Sequence, residues 1–180
     1  GRNELAVAAL NRVRASELDP ARALDAAHVD FIATAVELQA GRPHEALHLL
    51  QAIQRCAAIV AGPHQWSHNL LAEAQIRHAM GEPLAVTRRL LADAIRLQRG
   101  ARSDALWFEA LACLSLFELD AGRSGRAALR RAFALGARND LLCHVGFRPA
   151  MTARLCAAAL RQGIEPEYAQ RLISTHDLAP

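Results

Sequence analysis

Gln39-Ala40-Gly41-Arg42-Pro43-His44-Glu45-Ala46-Leu47-His48-Leu49-Leu50 is the stretch that decides the fold. An apolar, alanine-rich run ends at Gly41, and a second begins at Pro43. Glycine just past a helix end adopts the left-handed conformation that satisfies the last carbonyls. Proline suits the first turn of the next helix, where no amide donor is needed. The stretch therefore predicts two helices joined by a tight turn.

The same punctuation returns along the chain. Ala79-Met80-Gly81-Glu82-Pro83, Asp120-Ala121-Gly122-Arg123-Ser124 and Arg161-Gln162-Gly163-Ile164-Glu165-Pro166 repeat it at intervals of 40, 41 and 41 residues. Seven residues before each glycine stand Thr34, Ala74, Ser115 and Cys156, all small enough to let two helices approach closely. Five residues after it stand Ala46, Val86, Ala127 and Tyr168, and nine after it Leu50, Leu90, Arg131 and Leu172. Arg131 breaks that last register, and the adjacent Ala132-Phe133 are the natural compensation. Gly1 lies one interval upstream of Gly41, and the same offsets reach Ala6 and Leu10, so residues 3–15 read as the second helix of a repeat whose first helix is absent. A fragment of a longer protein is the expectation.

This register predicts first helices near 20–40, 64–80, 103–121 and 148–162. Second helices are expected near 3–15, 43–58, 83–98, 124–135 and 165–175. Residues 136–147, with Gly136 and Gly146, read as the longest irregular link. Asp19-Pro20 offers a cap and first turn for the helix that follows. The fold class is all-α: about nine helices in 40–41-residue repeats, forming one domain over 1–180. Its parts are a half repeat over 1–18 and repeats over about 19–60, 61–100, 101–137 and 138–180. One such repeat cannot bury its apolar face alone, so neighbours must stack into an α-α superhelix.

Composition agrees. Hydrophobic residues make up 52% of the chain and aromatics only 4%. Alanine, leucine and arginine, which are strong helix formers, dominate over the β-branched and aromatic residues of strands. All 21 basic residues are arginine, and the net charge is +3. The sequence pI of about 9.0 is compatible with nucleic acid. But the arginines are interleaved with acids, as between Asp19 and Asp30, and no long basic stripe is expected. Cys56, Cys113, Cys143 and Cys156 are widely spaced in helical, apolar surroundings, so buried free thiols are expected. No run reaches the roughly 18 apolar residues of a membrane helix. The opening Gly1-Arg2-Asn3-Glu4 is unlike a signal peptide, so a cytoplasmic location is expected.

The small residue in the first helix, the glycine at the turn, the alanine five later and the large apolar residue nine later resemble tetratricopeptide repeats. The period near 40 exceeds the usual 34 of that family, and its consensus tryptophan and tyrosine are absent. Two stretches of the last third carry a second resemblance. Phe147-Arg148-Pro149-Ala150-Met151 leads to Ala153-Arg154-Leu155-Cys156-Ala157, and Gly163-Ile164-Glu165-Pro166-Glu167-Tyr168 leads to Ala169-Gln170-Arg171-Leu172-Ile173. Over 147–180 these resemble the end of the helical sensor region in MalT/LuxR-like ATP-dependent bacterial transcription regulators. The resemblance implies a non-catalytic region that binds a small-molecule effector or a peptide or protein partner. It also implies an upstream nucleotide-binding module and contact with DNA only through a separate, downstream domain. His176-Asp177-Leu178-Ala179-Pro180 would begin the linker to that domain. The chain has no lysine, hence no GxxxxGK[ST] phosphate loop, and no cofactor is expected in this segment. A tetratricopeptide adaptor unrelated to transcription is the alternative. The open end of a half repeat would also suit a homodimer.

In such a superhelix the first helices line the concave face. Thirteen, ten, six, three and two residues before Gly41 stand His28, Phe31, Ala35, Leu38 and Gln39. The same registers before Gly81 hold His68, Leu71, Gln75, His78 and Ala79, and before Gly122 they hold Glu109, Ala112, Leu116, Leu119 and Asp120. The expected binding residues are His28, Phe31, His68, Leu71, Gln75, His78 and Glu109.

Other constellations weigh less. His44-Glu45-Ala46-Leu47-His48 matches HExxH, in which two histidines of one helical face chelate zinc and the glutamate acts as base. That makes a zinc hydrolase the remote alternative. Ala46 and Leu47 occupy packing registers, the later repeats have unrelated residues there, and Glu73 stands on a neighbouring helix. Neither metal ligands nor catalytic residues are therefore expected. His64 and His68 flank Trp66, which reads as a packing anchor. Cys143-His144 lacks a third group, and Glu165 and Glu167 belong to a helix's first turn, where acids meet the dipole favourably.

Overall fold

The computed structural model describes residues 23–60, 63–97, 103–143 and 148–179, with positions 5, 8, 9 and 12 upstream; side chains at 23–28, 56–60 and 63–64 fall outside that description. The helix expected over 3–15 therefore lies almost wholly outside the described residues. Those that are described form eight helices and no strand: α1 (Ala23–Gln39), α2 (Pro43–Val60), α3 (Pro63–Ala79), α4 (Leu84–Leu97), α5 (Asp104–Asp120), α6 (Arg126–Asn139), α7 (Pro149–Gln162) and α8 (Pro166–His176). The chain divides into two compact units, unit 1 over Gly1–Asp93 and unit 2 over Ala94–Pro180.

All four repeat glycines take the left-handed conformation, with φ between +62° and +79°. Each turn is closed by the same two bonds, 2.8–3.2 Å long. The glycine amide donates to the carbonyl three residues back, and the next amide donates to the carbonyl five back: Arg42 to Glu37, Glu82 to Arg77, Arg123 to Glu118 and Ile164 to Ala159. These bonds pair carbonyls that a helix end otherwise leaves orphaned. The residues joined this way commonly make an apolar contact, and here two of the four turns replace it with an ion pair. Arg42 meets Glu37 at 2.5 Å, and Arg77 meets Glu82 at 2.7 Å with the signs exchanged. In the fourth turn Ile164, buried, stands where that contact is apolar.

The small register before the glycine is uniformly interior. Thr34, Ala74, Ser115 and Cys156 are no more than 2% exposed. The third repeat gives the reason at atomic detail: Ser115 Oγ donates to the Gly125 carbonyl at 3.2 Å. A larger side chain at 115 would push the turn away. A Cβ at Gly125 would itself stand 2.7 Å from the Ser115 carbonyl oxygen.

The register after the glycine does not hold throughout. In α2 the expected Ala46 and Leu50 are buried, but in α4 the buried residues are Thr87, Leu91 and Ala94, while Val86 is exposed. In α6 they are Ala128, Leu129, Ala132, Phe133 and Gly136, with Ala127 and Arg131 at the surface. In α8 the expected Tyr168 and Leu172 are buried, as Ala46 and Leu50 are in α2. The second helix begins two residues after the glycine at Pro43, three after it at Leu84 and Pro166 and four after it at Arg126, so where the helix starts does not by itself decide which registers are buried.

In unit 1, α1 packs on α2 and α3, and α2 packs on α3. Ala46, Leu50 and Ile76 form a core cluster against which Leu38, Leu47, Ala72 and Met80 pack. In unit 2, α5 packs on α6 and α7, α7 on α6 and α8, and α6 on α8. Tyr168 is the centrepiece there. Its ring meets Phe133 edge-on at a centroid distance of 5.4 Å and Phe108 at 6.4 Å. Its hydroxyl donates to the Leu141 carbonyl at 2.5 Å. Gly136 makes room for this ring, since a Cβ there would run into the hydroxyl and its ring carbon. Gly136 thus lies inside α6 rather than in an irregular link, and the helix runs to Asn139 before a left-handed Asp140 ends it. His176 holds the Leu142 carbonyl at 2.6 Å, and Arg171 pairs with Asp140, so α8 fastens the segment after α6 at three points.

Candidate functional site

In unit 1 the expected lining residues fall on the facing first helices α1 and α3. His28 lies on α1, with its side chain outside the described residues. Phe31 and His68 come together across the two helices, rings edge-on at a centroid distance of 6.1 Å, both half-buried. His68, Leu71, Gln75 and His78 follow one another at three- and four-residue steps, so they share one face of α3. Within that stripe Leu71 and Gln75 are buried and His68 and His78 half-buried. A ligand approaching unit 1 along this stripe would meet Phe31, His68 and His78 first. Leu71 and Gln75 lie beneath them as support. In unit 2, Glu109 is likewise buried on α5, among Leu106, Phe108, Ala110 and Leu111.

The side chains of His44, Glu45 and His48 are exposed on the first turns of α2, while Ala46 between them is fully buried. The helix thus uses this stretch to pack Ala46 and Leu47. Glu73 is committed elsewhere: it accepts from Gln54 at 3.0 Å and from Arg77 at 2.8 Å. Among the described residues no group of three or more histidine, cysteine or acidic side chains is placed to hold a metal ion.

The thiols separate into two kinds. Cys113 and Cys156 are buried, and burial pushes the Cys156 thiol up to about 11, far from the reactive thiolate form. Cys143 is exposed, contrary to the expectation of a buried thiol, because it lies beyond the end of α6, outside regular secondary structure. Cys56 and His144 have no described side chains.

A feature that the sequence reading passed over lies in unit 2. Asp104, Trp107 and Leu111 of α5 face Arg131, Leu135 and Arg138 of α6 across an open cleft of about 340 Å³. The expectation that no basic stripe forms also meets an exception here. From Ala121 to Asn139 there are five arginines and no acid, and all five arginines are exposed. The signal was available as a local run without acids, hidden by the balanced whole-chain composition.

Among the described residues no helix is long and apolar enough to cross a membrane. Compared with models of protein families, with curated proteins and with solved structures, the chain has no match.

Proposed function

We propose that this chain is a tetratricopeptide-like interaction region, without catalytic residues of its own, serving as the sensor segment of a bacterial transcription regulator. The observation that carries the reading is one hairpin design used four times, each closed by the same pair of bonds at Gly41, Gly81, Gly122 and Gly163. The packing order supports it: first helices lie on first helices (α1 on α3, α5 on α7), and α6 lies on the following second helix α8. Nearest-neighbour stacking of that kind is how repeat arrays gain an extended binding surface. On this reading a small-molecule effector or a peptide meets unit 1 at Phe31, His68 and His78. The regulator state is scored at a separate DNA-binding domain. The motif run over 147–180 is what points to transcription rather than to a general adaptor.

The gene tests the proposal. It should encode a phosphate-loop ATPase module upstream of this segment and a helix-turn-helix or winged-helix domain downstream; a gene with neither contradicts it. For the binding face, a thermal-shift screen of metabolites and peptides should give hits that Phe31→Ala or His68→Ala abolishes. Hits indifferent to both would remove the site from α1 and α3.

A further inference from the structure

The arginines of α6 are arranged unevenly. Elsewhere in unit 2 Arg154 pairs with Asp120 and Arg171 with Asp140, while Arg148 and Arg161 stand at the two ends of α7 with no carboxylate partner among the described residues. On α6, Arg126, Arg130 and Arg131 have no carboxylate partner among the described residues, and Arg138 reaches Asp104 only at 3.7 Å, with both side chains largely exposed. A pair so exposed contributes little and is readily exchanged for another carboxylate. Helical spacing divides these cations. Arg131 and Arg138, seven residues apart, share the flank that borders the cleft with α5, whereas Arg126 and Arg130 share the other flank. Across the cleft, Trp107 is half-buried and Leu111 is buried, one turn apart, so the floor is apolar, and the rim carries Arg131 and Arg138 alongside the single carboxylate of Asp104.

We propose that this α5–α6 cleft binds an acidic peptide segment of a partner protein. An apolar residue of the segment rests on Trp107, Leu111 and Leu135, and its carboxylates engage Arg131 and Arg138. Charge and shape both lead there. The guanidinium fork matches a carboxylate in bidentate geometry, and tryptophan with arginine is the combination that concentrates binding energy at protein interfaces. The cleft is open to solvent, so it accommodates side chains of a peptide lying across it rather than burying most of a small ligand's surface. A nucleic-acid backbone would draw equally on both flanks of α6 and would leave the apolar floor unused. The proposal rests on reading the chain as an interaction module, and it adds a place and a partner chemistry.

Fluorescence anisotropy on the whole chain tests it, with a short labelled peptide carrying leucines and glutamates at helical spacing. The same peptide with every glutamate replaced by glutamine and a labelled single-stranded oligonucleotide serve as competitors in chemistry. The glutamate peptide should bind, the glutamine peptide should bind about tenfold more weakly or worse, and Arg131→Glu should weaken the glutamate peptide by about tenfold. Trp107→Ala should weaken it as well, while the paired change Arg126→Glu with Arg130→Glu should leave the Kd within about twofold. Arg131 is exposed, so its variant tests the site even if Trp107→Ala fails to fold. Absence of binding by the glutamate peptide overturns the proposal, as does equal sensitivity to both flanks of α6. Tighter binding of the oligonucleotide, untouched by Trp107→Ala, overturns it in favour of a basic helix reading phosphates. None of these outcomes alters the gene-level test of the regulator assignment, so the two readings fail separately.

Discussion

Unit 1 and unit 2 close their hairpins with the same left-handed glycine turn, yet they bury different side chains. The described core of unit 1 is aliphatic, built on Leu50, Ile53, Leu71, Ile76 and Leu91, and it also takes in Thr34, Ser67, Asn69, Gln75 and Thr87. Phe31 and Trp66 there are only half-buried. Unit 2 buries Phe108, Phe117, Phe133 and Tyr168 with few polar partners. Charge divides the same way: unit 1 holds nine arginines against ten acids, unit 2 twelve against eight. The turn chemistry therefore fixes the hairpin, while the contents of the interface set its stability. Aromatic burial concentrates packing in unit 2, whereas in unit 1 the rings of Phe31, Trp66, His68 and His78 stay half-buried.

The largest effect should come from removing the centre of unit 2. Tyr168→Ala deletes a ring packed on Phe108 and Phe133 and should destabilise unit 2 by about 3–5 kcal/mol in urea unfolding. Gly136→Ala should cost about 1–3 kcal/mol there, despite alanine's better helix propensity, because the added methyl meets the Tyr168 ring. If alanine at 136 stabilised the chain, the account of Tyr168 as the fixed centre would fail.

Unit 1 should respond in the opposite direction to a core change. Asn69 is fully buried, and its Nδ2 has no hydrogen-bond partner, although its Oδ1 accepts from Gln65 at 3.2 Å. Asn69→Leu should raise the stability of unit 1 by about 1 kcal/mol, since an unsatisfied buried donor costs about that much. A loss of stability of similar size would mean that this asparagine is structurally required and that unit 1 is not the laxer core.

Alkaline pH should also distinguish the units. The folded value for Cys156 is raised, by burial, from 9.0 to about 11. Between those values the folded state binds more protons than the unfolded one, so stability falls as pH rises through that window. Burial raises the Tyr168 hydroxyl too, in the same direction. Thermal melts at increasing pH should lower the unit 2 transition, and Cys156→Ala should flatten the early part of the fall. The smallest effect belongs to the turn ion pairs. Glu82→Ala, which frees Arg77 from one of two carboxylates, should cost less than about 1 kcal/mol because the pair is partly exposed.

Much of this was legible in the residues. Glycine at a helix end has one dominant structural use, so Gly41, Gly81, Gly122 and Gly163 located the turns and the helices on both sides. The small register at Thr34, Ala74, Ser115 and Cys156 was equally readable, because close helix approach excludes large side chains. The second helices were harder. The buried set moves one residue on, to Thr87 and Leu91 in α4 and to Ala128 and Ala132 in α6, but stays at Tyr168 and Leu172 in α8, and spacing from the glycine does not register how each helix is turned about its axis. Gly136 misled for the opposite reason: glycine usually interrupts a helix, and its use as space for the distant Tyr168 ring is a tertiary contact. The expected lining set mixed two populations, since one face of α3 holds half-buried His68 and His78 alongside buried Leu71 and Gln75. The α5–α6 cleft depends on which side of α6 each arginine takes, and a balanced overall charge concealed it.

The central claim is that four hairpins are built to one plan, and a leucine scan of the small register tests it most directly. Thr34→Leu, Ala74→Leu, Ser115→Leu and Cys156→Leu place a large side chain at positions no more than 2% exposed. Each should destabilise its unit by about 1–3 kcal/mol in urea unfolding. The same substitution at Gln39, Ala79 and Arg161, each two residues before its glycine and exposed, should change stability by less than about 0.5 kcal/mol. Leucine tolerated at two or more of the four small positions would contradict a common plan.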